Sequence, residues 1–268
     1  MMVFFRKVAW RLAMLGSNLF IRRDKRAIRH VHLKDFQLLV AANEDVGRQI
    51  FLFKDFEPED SNFFRDVIHP TDICFDVGGN VGFFAMLMAS RASKGEVHVF
   101  EPIPFNAALI RTNAELNGFA NISIQNVAVG DTEGTVQFSV SVDSAYSSMK
   151  ATGRSNEERA LDVQLRTLDA YIAGAGVPRV DIMKVDVEGA EGMVIGGATK
   201  LFSNKDRRPR LVLLELYEPN LKPFGTNVET IVKQMIAFGY TAKVHNGKEL
   251  IPFDLSMSNK FYNVIFVA

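Results

Sequence analysis

The segment Ile73-Cys74-Phe75-Asp76-Val77-Gly78-Gly79-Asn80-Val81-Gly82-Phe83-Phe84 decides the fold. A short, mostly apolar run leads into a glycine turn, and a second apolar run continues from Phe83 to Ala89. The first run reads as a buried strand ending at Val77. The second reads as a helix apolar all round and buried against a sheet. Glycines in such a turn let a ligand approach the backbone, and the helix start offers free N–H groups. The spacing is not Gly-x-Gly-x-x-Gly, because Gly78 and Gly82 are four apart and Asp76 precedes them. A carboxylate aimed into the cleft repels a pyrophosphate and attracts an ammonium group. The turn therefore favours a nucleoside that carries an amino acid over a dinucleotide.

Outward from this turn the chain alternates strand and helix. Val97 to Phe100, Ile122 to Val127, Ile182 to Val187, Leu211 to Leu216 and Phe261 to Val267 read as strands. Pro104 to Leu116 reads as a helix, with Pro at its start and Gly118 at its end, where each belongs. Val194 to Phe202 and Asn227 to Phe238 read as further helices, the latter stopped by Gly239. Apolar strands alternating with helices imply a parallel sheet covered on both faces. Thr135 to Val142 breaks the rhythm: polar and apolar residues alternate, as in a half-buried antiparallel strand, and Leu161 to Leu165 alternates similarly. Between them lies a polar loop, Asp143 to Ala160, whose Tyr146, Ser147 and Ser148 are lid candidates over a substrate.

Open α/β sheets bind ligands at the carboxyl ends of their strands. Glu101-Pro102 ends the second strand, where an acid accepts hydrogen bonds from ribose hydroxyls. Asp186 and Glu188 end the fourth, two apart and so on one side of extended backbone. Lys184, inside that strand, needs a partner, and Asp181 or a neighbouring strand can supply it. Glu215 ends the fifth strand. His98 and Cys74 lie inside strands and read as core, whereas His245 and Lys243 lie near the tail, within reach of a substrate.

The 268 residues carry 31 basic and 31 acidic side chains and one cysteine. One cysteine forms no intrachain disulfide, and a net charge of zero argues against a nucleic-acid partner. The zero conceals a split. Residues 1–34 hold nine basic side chains and one acidic one, a net +8, and residues 35–268 hold the balancing −8. Phe4, Val8, Leu12, Leu15 and Leu19 fall on one helical face of this basic segment. Three readings fit it: a helix lying on anionic lipid, a first helix packed on the body, or an Arg-rich transit peptide. The longest uncharged run, Leu12 to Ile21, is too short to span a bilayer.

DVGGNVGFF (76–84), FEPIPFN (100–106), NVAVGD (126–131), RTLD (166–169) and IMKVDVEGAE (182–191) occur in that order. Together they resemble the FkbM-type family of S-adenosylmethionine-dependent methyltransferases, over about Ile73 to Leu216. The resemblance implies the class I, Rossmann-like methyltransferase fold: a seven-stranded, mostly parallel sheet, helices on both faces and a reversed last strand. To this is added the basic helical arm, residues 1–34, before a methyltransferase domain, 35–268. The implied activity is O-methylation of a hydroxyl on a sugar, glycolipid or related natural product, with S-adenosyl-L-methionine as cofactor. By the same resemblance Asp76, Gly78 and Asn80 cradle the methionine portion, Glu101 takes the ribose, and Asn126 and Ala128 lie by the adenine; Gly79, Gly82 and Pro102 complete the cofactor-binding set. Gly79 stands where alanine is commoner in the family.

A sugar hydroxyl is a poor nucleophile at neutral pH, so a base is expected beside it. Asp186 or Glu188 is the first candidate and Glu215 the next. No metal is assigned, although these carboxylates suit a divalent cation. The expected partners are a small-molecule, glycan or lipid-linked acceptor and, through residues 1–34, a peripheral anionic membrane surface, in the cytoplasm. The alternatives are a non-catalytic cofactor-fold scaffold at a membrane and a nicotinamide-dependent oxidoreductase, the latter disfavoured by the glycine spacing.

Overall fold

The structure is a computed structural model that describes residues 28–141, 147–149, 158–260 and 262–268. Most of the basic arm and Tyr146 lie outside the described residues. Among the described residues no helix is long and apolar enough to cross a membrane.

The described chain begins with a hairpin of β1 (Ile28–His32) and β2 (Gln37–Ala41), followed by helices α1 (Asp45–Phe53) and α2 (Pro58–Val67). The hairpin turn holds the expected domain boundary at residue 34, so Ile28 to Lys34 are joined to the body by strand pairing. Next come β3 (Ile73–Val77), α3 (Phe83–Arg91), β4 (Glu96–Phe100), α4 (Pro104–Asn117) and β5 (Ile122–Gln125). The third strand is shorter than expected, because Ala128–Val129 leaves the main sheet. That pair, β6, joins β7 (Gly134–Ser141) and β8 (Glu158–Arg166) in a separate three-stranded sheet. This accounts for the alternating pattern after Thr135: one face, with Phe138, Val163 and Leu165, packs inward.

The chain re-enters the main sheet through α5 (Leu168–Ala175) and β9 (Ile182–Val185). It continues through α6 (Glu191–Gly196), α7 (Thr199–Ser203), β10 (Leu211–Glu215), α8 (Glu218–Leu221), α9 (Val228–Ala237), β11 (Thr241–His245), β12 (Leu250–Pro252) and β13 (Asn263–Val267). The main sheet has eight strands in the order β5-β4-β3-β9-β10-β13-β11-β12. Strands β5, β4, β3, β9 and β10 run parallel, and β13 is antiparallel to both of its neighbours. The reversed last strand is thus present, but inserted between β10 and β11. The eighth strand, β12, adds to the expected seven.

The helix expected over Val194 to Phe202 is two helices. The break lies at Gly197, whose carbonyl accepts from the Asp169 amide at 2.9 Å. The Asp169 carboxylate then accepts from the amides of Lys200 and Leu201, at 2.8 and 3.0 Å, and so starts α7 afresh.

Residues β3, β9 and β10 contribute are almost entirely buried, as a sheet covered on both faces requires. Their side chains alternate between two cores. Phe75, Val77, Met183 and Val185 pack toward the face that carries α5, α6 and α9. Cys74, Ile182 and Leu213 pack toward α2, α3, α4 and the hairpin. His98 is core as expected, its Nδ1 at 2.8 Å from the Tyr171 hydroxyl.

The hairpin docks on α4 through two asparagines four residues apart, hence on one helix face. Asn113 accepts from the Leu39 amide at 2.7 Å and donates to the Leu39 carbonyl at 3.1 Å. Asn117 does the same for Gln37, at 2.7 Å each way. The two amides imitate a neighbouring strand along the free edge of β2. Asn113 is fully buried and also donates toward the Val81 carbonyl beside the glycine turn. Replacing Asn113 by Ala leaves buried backbone groups unsatisfied and is expected to cost about 3 kcal/mol of stability. Urea denaturation measures this; a loss under about 0.5 kcal/mol would show that the edge is satisfied otherwise.

Candidate active site

The carboxyl ends of β3, β4, β9 and β10 open into one cleft. At the end of β3 the turn is fixed by its backbone. The amides of Gly78 and Gly79 donate to the Phe100 carbonyl at 2.9 and 3.2 Å. Gly78 has φ +91°, and a Cβ there would lie 1.8 Å from the Asp186 carbonyl oxygen. No side chain fits between the ends of β3 and β9. At Gly79 a Cβ would fall 2.4 Å from Val99 Cγ1 and 3.1 Å from Ile110 Cδ1, which explains glycine at this position. Gly82 starts α3 with φ +90° and stands behind the turn, outside the cleft lining.

Asp76 is 1% exposed and lines the cleft. Neither of its oxygens has a hydrogen-bond partner of good geometry, although the Ala85 amide is near enough to assist. Burial pushes its carboxyl up to about 6. Glu101, at the end of β4, accepts from the Asn80 amide at 2.8 Å and the Ile103 amide at 2.9 Å. These bonds aim it across the cleft, while burial pushes it up to about 8. Pro102 and Ala128 also line the cleft. Asn126 does not: it is exposed, and its amide donates to the carbonyls of Glu101 and Pro102 at 2.8 and 2.9 Å. It clamps the strand end, and its neighbour Val127 faces the cleft instead.

Across the cleft Lys184 is buried and meets Asp186 Oδ2 at 2.8 Å, with its Nζ 4.8 Å from the Phe84 ring centroid. Asp181 is not its partner; that carboxylate accepts from the Ile73 amide and pairs with Arg179. Burial works against the Lys184 charge, yet Asp186, then Glu57 and Asp76, hold its ammonium well above the usual range. Burial likewise raises Asp186, but the Lys184 ammonium reverses this and holds it below the usual range. Glu215 is driven well up by burial and by the charges on Asp186, Glu188 and Glu57, and is hydrogen-bonded to Asp186. Glu215 therefore carries the proton of that pair. Asp186, Glu188 and Glu215 each bring a carboxylate oxygen within 4.8 Å of the others, a spacing that suits a hard divalent cation. Asn220 Nδ2 holds Glu188 at 2.5 Å.

Of the lid candidates, Ser147 lines the cleft. Ser148 is bound to β7, exchanging backbone hydrogen bonds with Ser139 at 2.8 and 3.1 Å. The cleft also contains residues that no motif indicated. Asn106, 1% exposed, faces Glu101 from the first turn of α4 and sits inside the quoted FEPIPFN stretch. Glu57 comes from the start of α2, a segment without any motif. It is pushed up to about 7 by burial and by Asp186 and Asp60, which outweigh Lys184.

Residues 76–242 match the model of the methyltransferase FkbM domain. The chain is 27% identical over 186 residues to the 31-O-demethyl-FK506 methyltransferase FkbM of Streptomyces tacrolimicus, covering 58% of this chain and 71% of that protein. It is 24% identical over 194 residues to the 2-O-methyltransferase NoeI of Sinorhizobium fredii, covering 67% and 77%. An O-methyltransferase from Bacillus cereus, solved in complex with SAH, overlays with a TM-score of 0.44 at 14% identity, covering 80% of this chain and 83% of that one.

Asp76, Glu57, Glu191 and Glu101 are raised to about 6, 7, 7 and 8, burial being the first cause in each. Unfolded carboxyls titrate near about 4, so the folded chain holds extra protons between these values. The resulting stability is complete below about pH 4 and is lost as pH rises through about 6 to 8. The ligand-free protein is expected to melt lower at pH 8 than at pH 6 in differential scanning calorimetry, and Glu101→Gln to flatten that fall. A melting temperature level or rising across the interval contradicts this.

Proposed function

Since the chain belongs to the methyltransferase FkbM domain family, we propose that it is an S-adenosylmethionine-dependent O-methyltransferase acting on a hydroxyl of a sugar, glycolipid or related natural product. The cofactor belongs to the family. The residue roles, the hydroxyl acceptor and its class are the reading argued here.

One observation carries it: Asp76 is a buried carboxylate with no hydrogen-bond partner of good geometry, in a cleft where carboxyl groups outnumber the single ammonium of Lys184. Such a cleft is short of positive charge. S-adenosylmethionine brings an ammonium and a sulfonium, whereas a dinucleotide would add anions. The residues present therefore fit this group. Asp76 would hold its ammonium, Gly78, Gly79 and Asn80 would pass close to its methionine portion, and Glu101 would take the ribose hydroxyls. Val127 and Ala128, with Ile103 and Pro102, offer the apolar wall for the adenine. Gly82 shapes the turn from behind, and Asn126 fixes the end of the Glu101 strand.

When bound, this cofactor supplies a methyl group on a good leaving group, open to in-line displacement. The chain's own part is then positioning and proton handling. Asp186, fixed by Lys184, and Glu188, fixed by Asn220, orient the acceptor hydroxyl. Glu215, bearing the shared proton, completes the acidic wall. Ser147 lines the cleft from the β7–β8 connection, on the side open to an acceptor. The relative named as a 2-O-methyltransferase supports transfer to oxygen, and the hexuronic acid methyltransferase AglP of Haloferax volcanii supports a sugar-type acceptor. The +8 segment supports a place at the cytoplasmic membrane face, where a lipid-linked acceptor would be met.

Asp76→Asn keeps the shape and removes the charge. Isothermal titration should show S-adenosylmethionine affinity lowered about 10- to 100-fold, the range of a charged hydrogen bond. Wild-type affinity in this variant would sink the assignment, as would tighter binding of NAD than of S-adenosylmethionine by the unmodified chain. Removing residues 1–27 should abolish sedimentation with phosphatidylserine vesicles; unchanged sedimentation would reject the membrane role.

A further inference from the structure

A second cavity, of about 170 Å³, lies beside the cofactor cleft. The two share Glu57 and Glu215, which form the wall between them. Glu57 is built as if for use. It precedes α2 with φ +43°, a left-handed backbone that costs a non-glycine residue about 1–3 kcal/mol. It stands at the N-cap but makes no side-chain cap. Its Oε2 is buried with no hydrogen-bond partner. Asn80 and Glu188 share this left-handed backbone, so three of the four such non-glycine residues among the described residues line one cleft.

We infer that the second cavity takes the methyl acceptor and that Glu57, on the shared wall, receives the proton of the acceptor hydroxyl. This rests on the methyltransferase reading above. As the hydroxyl oxygen forms its bond to the methyl carbon, the carbon–sulfur bond breaks and the pair of electrons stays on sulfur. The hydroxyl proton passes to the Glu57 carboxylate and then, through the second cavity, to solvent. The products are the methyl ether and S-adenosylhomocysteine.

The alternatives fit less well. Asp186 is engaged by Lys184, and Glu188 by Asn220. Glu215 already holds a proton against Asp186. Glu57 faces Asp60 on its own helix, Lys184 and Asp186 at the end of β9, and Glu215 at the end of β10. In this company it titrates near neutral, where a general base is most effective.

The cavity also specifies its ligand. Glu57, Glu59, Asp60 and Glu215 face Lys260 and His245, so acidic groups predominate. Asp60 is held by Asn263 at 2.6 Å, and together they present both acceptors and donors. Tyr262, 43% exposed and braced edge-on by Tyr217 at 4.9 Å, offers an aromatic face at the rim. The match is a neutral, hydroxyl-rich ring, and the mismatch is a phosphorylated or uronate-bearing one.

The test uses the full chain with S-adenosylmethionine and p-nitrophenyl glycosides of neutral hexoses, p-nitrophenyl glucuronide and glucose 6-phosphate, following S-adenosylhomocysteine. Turnover is expected with neutral glycosides and not with the two anions. Glu57→Gln should lower kcat roughly 100-fold, within the range for general-base loss. It should leave S-adenosylmethionine affinity within about twofold, flatten the rise of rate between pH 6 and 8, and raise the melting temperature by relieving a crowded acid. Tyr262→Ala should raise the glycoside KM with kcat unchanged. Wild-type kcat and pH profile in Glu57→Gln overturn the inference. So does a lowered melting temperature with cofactor affinity lost in parallel, which marks a structural role. Methylation confined to the anions, or absent in a chain that binds S-adenosylmethionine, overturns it as well. A wild-type chain that does not bind S-adenosylmethionine overturns the preceding reading first, and this one with it.

Discussion

The active cleft is organised around one buried ammonium. Lys184 sits inside the central strand β9, where the chain can neither hydrate it nor leave it unpaired. Asp186 answers it directly. Asp76 and Glu57 answer it at longer range, and Glu215 through Asp186. Burial first, and then the crowding of acids around a single cation, leaves several of them protonated near neutral pH. The protein alone thus leaves a charge problem unsolved. The cofactor proposed for this cleft, with its ammonium and sulfonium, would answer it, and the same crowding of buried acids works against the ligand-free fold as pH rises. Binding and instability have one origin here.

Much of this was legible in sequence because it is local. The strand, glycine turn and helix from Ile73 to Ala89 are written in adjacent residues, and so are the strand-ending acids Glu101, Asp186 and Glu215. What failed was long-range or geometric. Lys184 had two acids at similar distance in sequence, Asp181 and Asp186. The sequence could not say that Asp181 would be taken by the Ile73 amide. Gly197 could not show that its carbonyl would leave the helix for Asp169. Nothing in the sequence marks Asn113 and Asn117, and only the approach of β2 turns them into an imitation strand. Glu57 gave no signal at all, because apart from Asp60 its chemistry comes from neighbours more than a hundred residues away.

The second sheet explains how a cleft of modest depth acquires a roof. After β5 the chain departs from the main sheet, builds β6 to β8, and returns through α5. Phe138 and Met149 reach the cleft from this excursion, and Ser147 comes with them. Family motifs before it (Asp76 to Val81, Phe100 to Asn106) and after it (Lys184 to Glu188) line the same cleft.

The short strand β12 has a different significance. It lies at one margin of the eight-stranded sheet, is three residues long, and ends in Pro252. A proline has no amide hydrogen to offer a further strand, and three residues give little length on which to pair. The margin is thus blunted against recruiting a second copy edge to edge, a hazard for any open sheet.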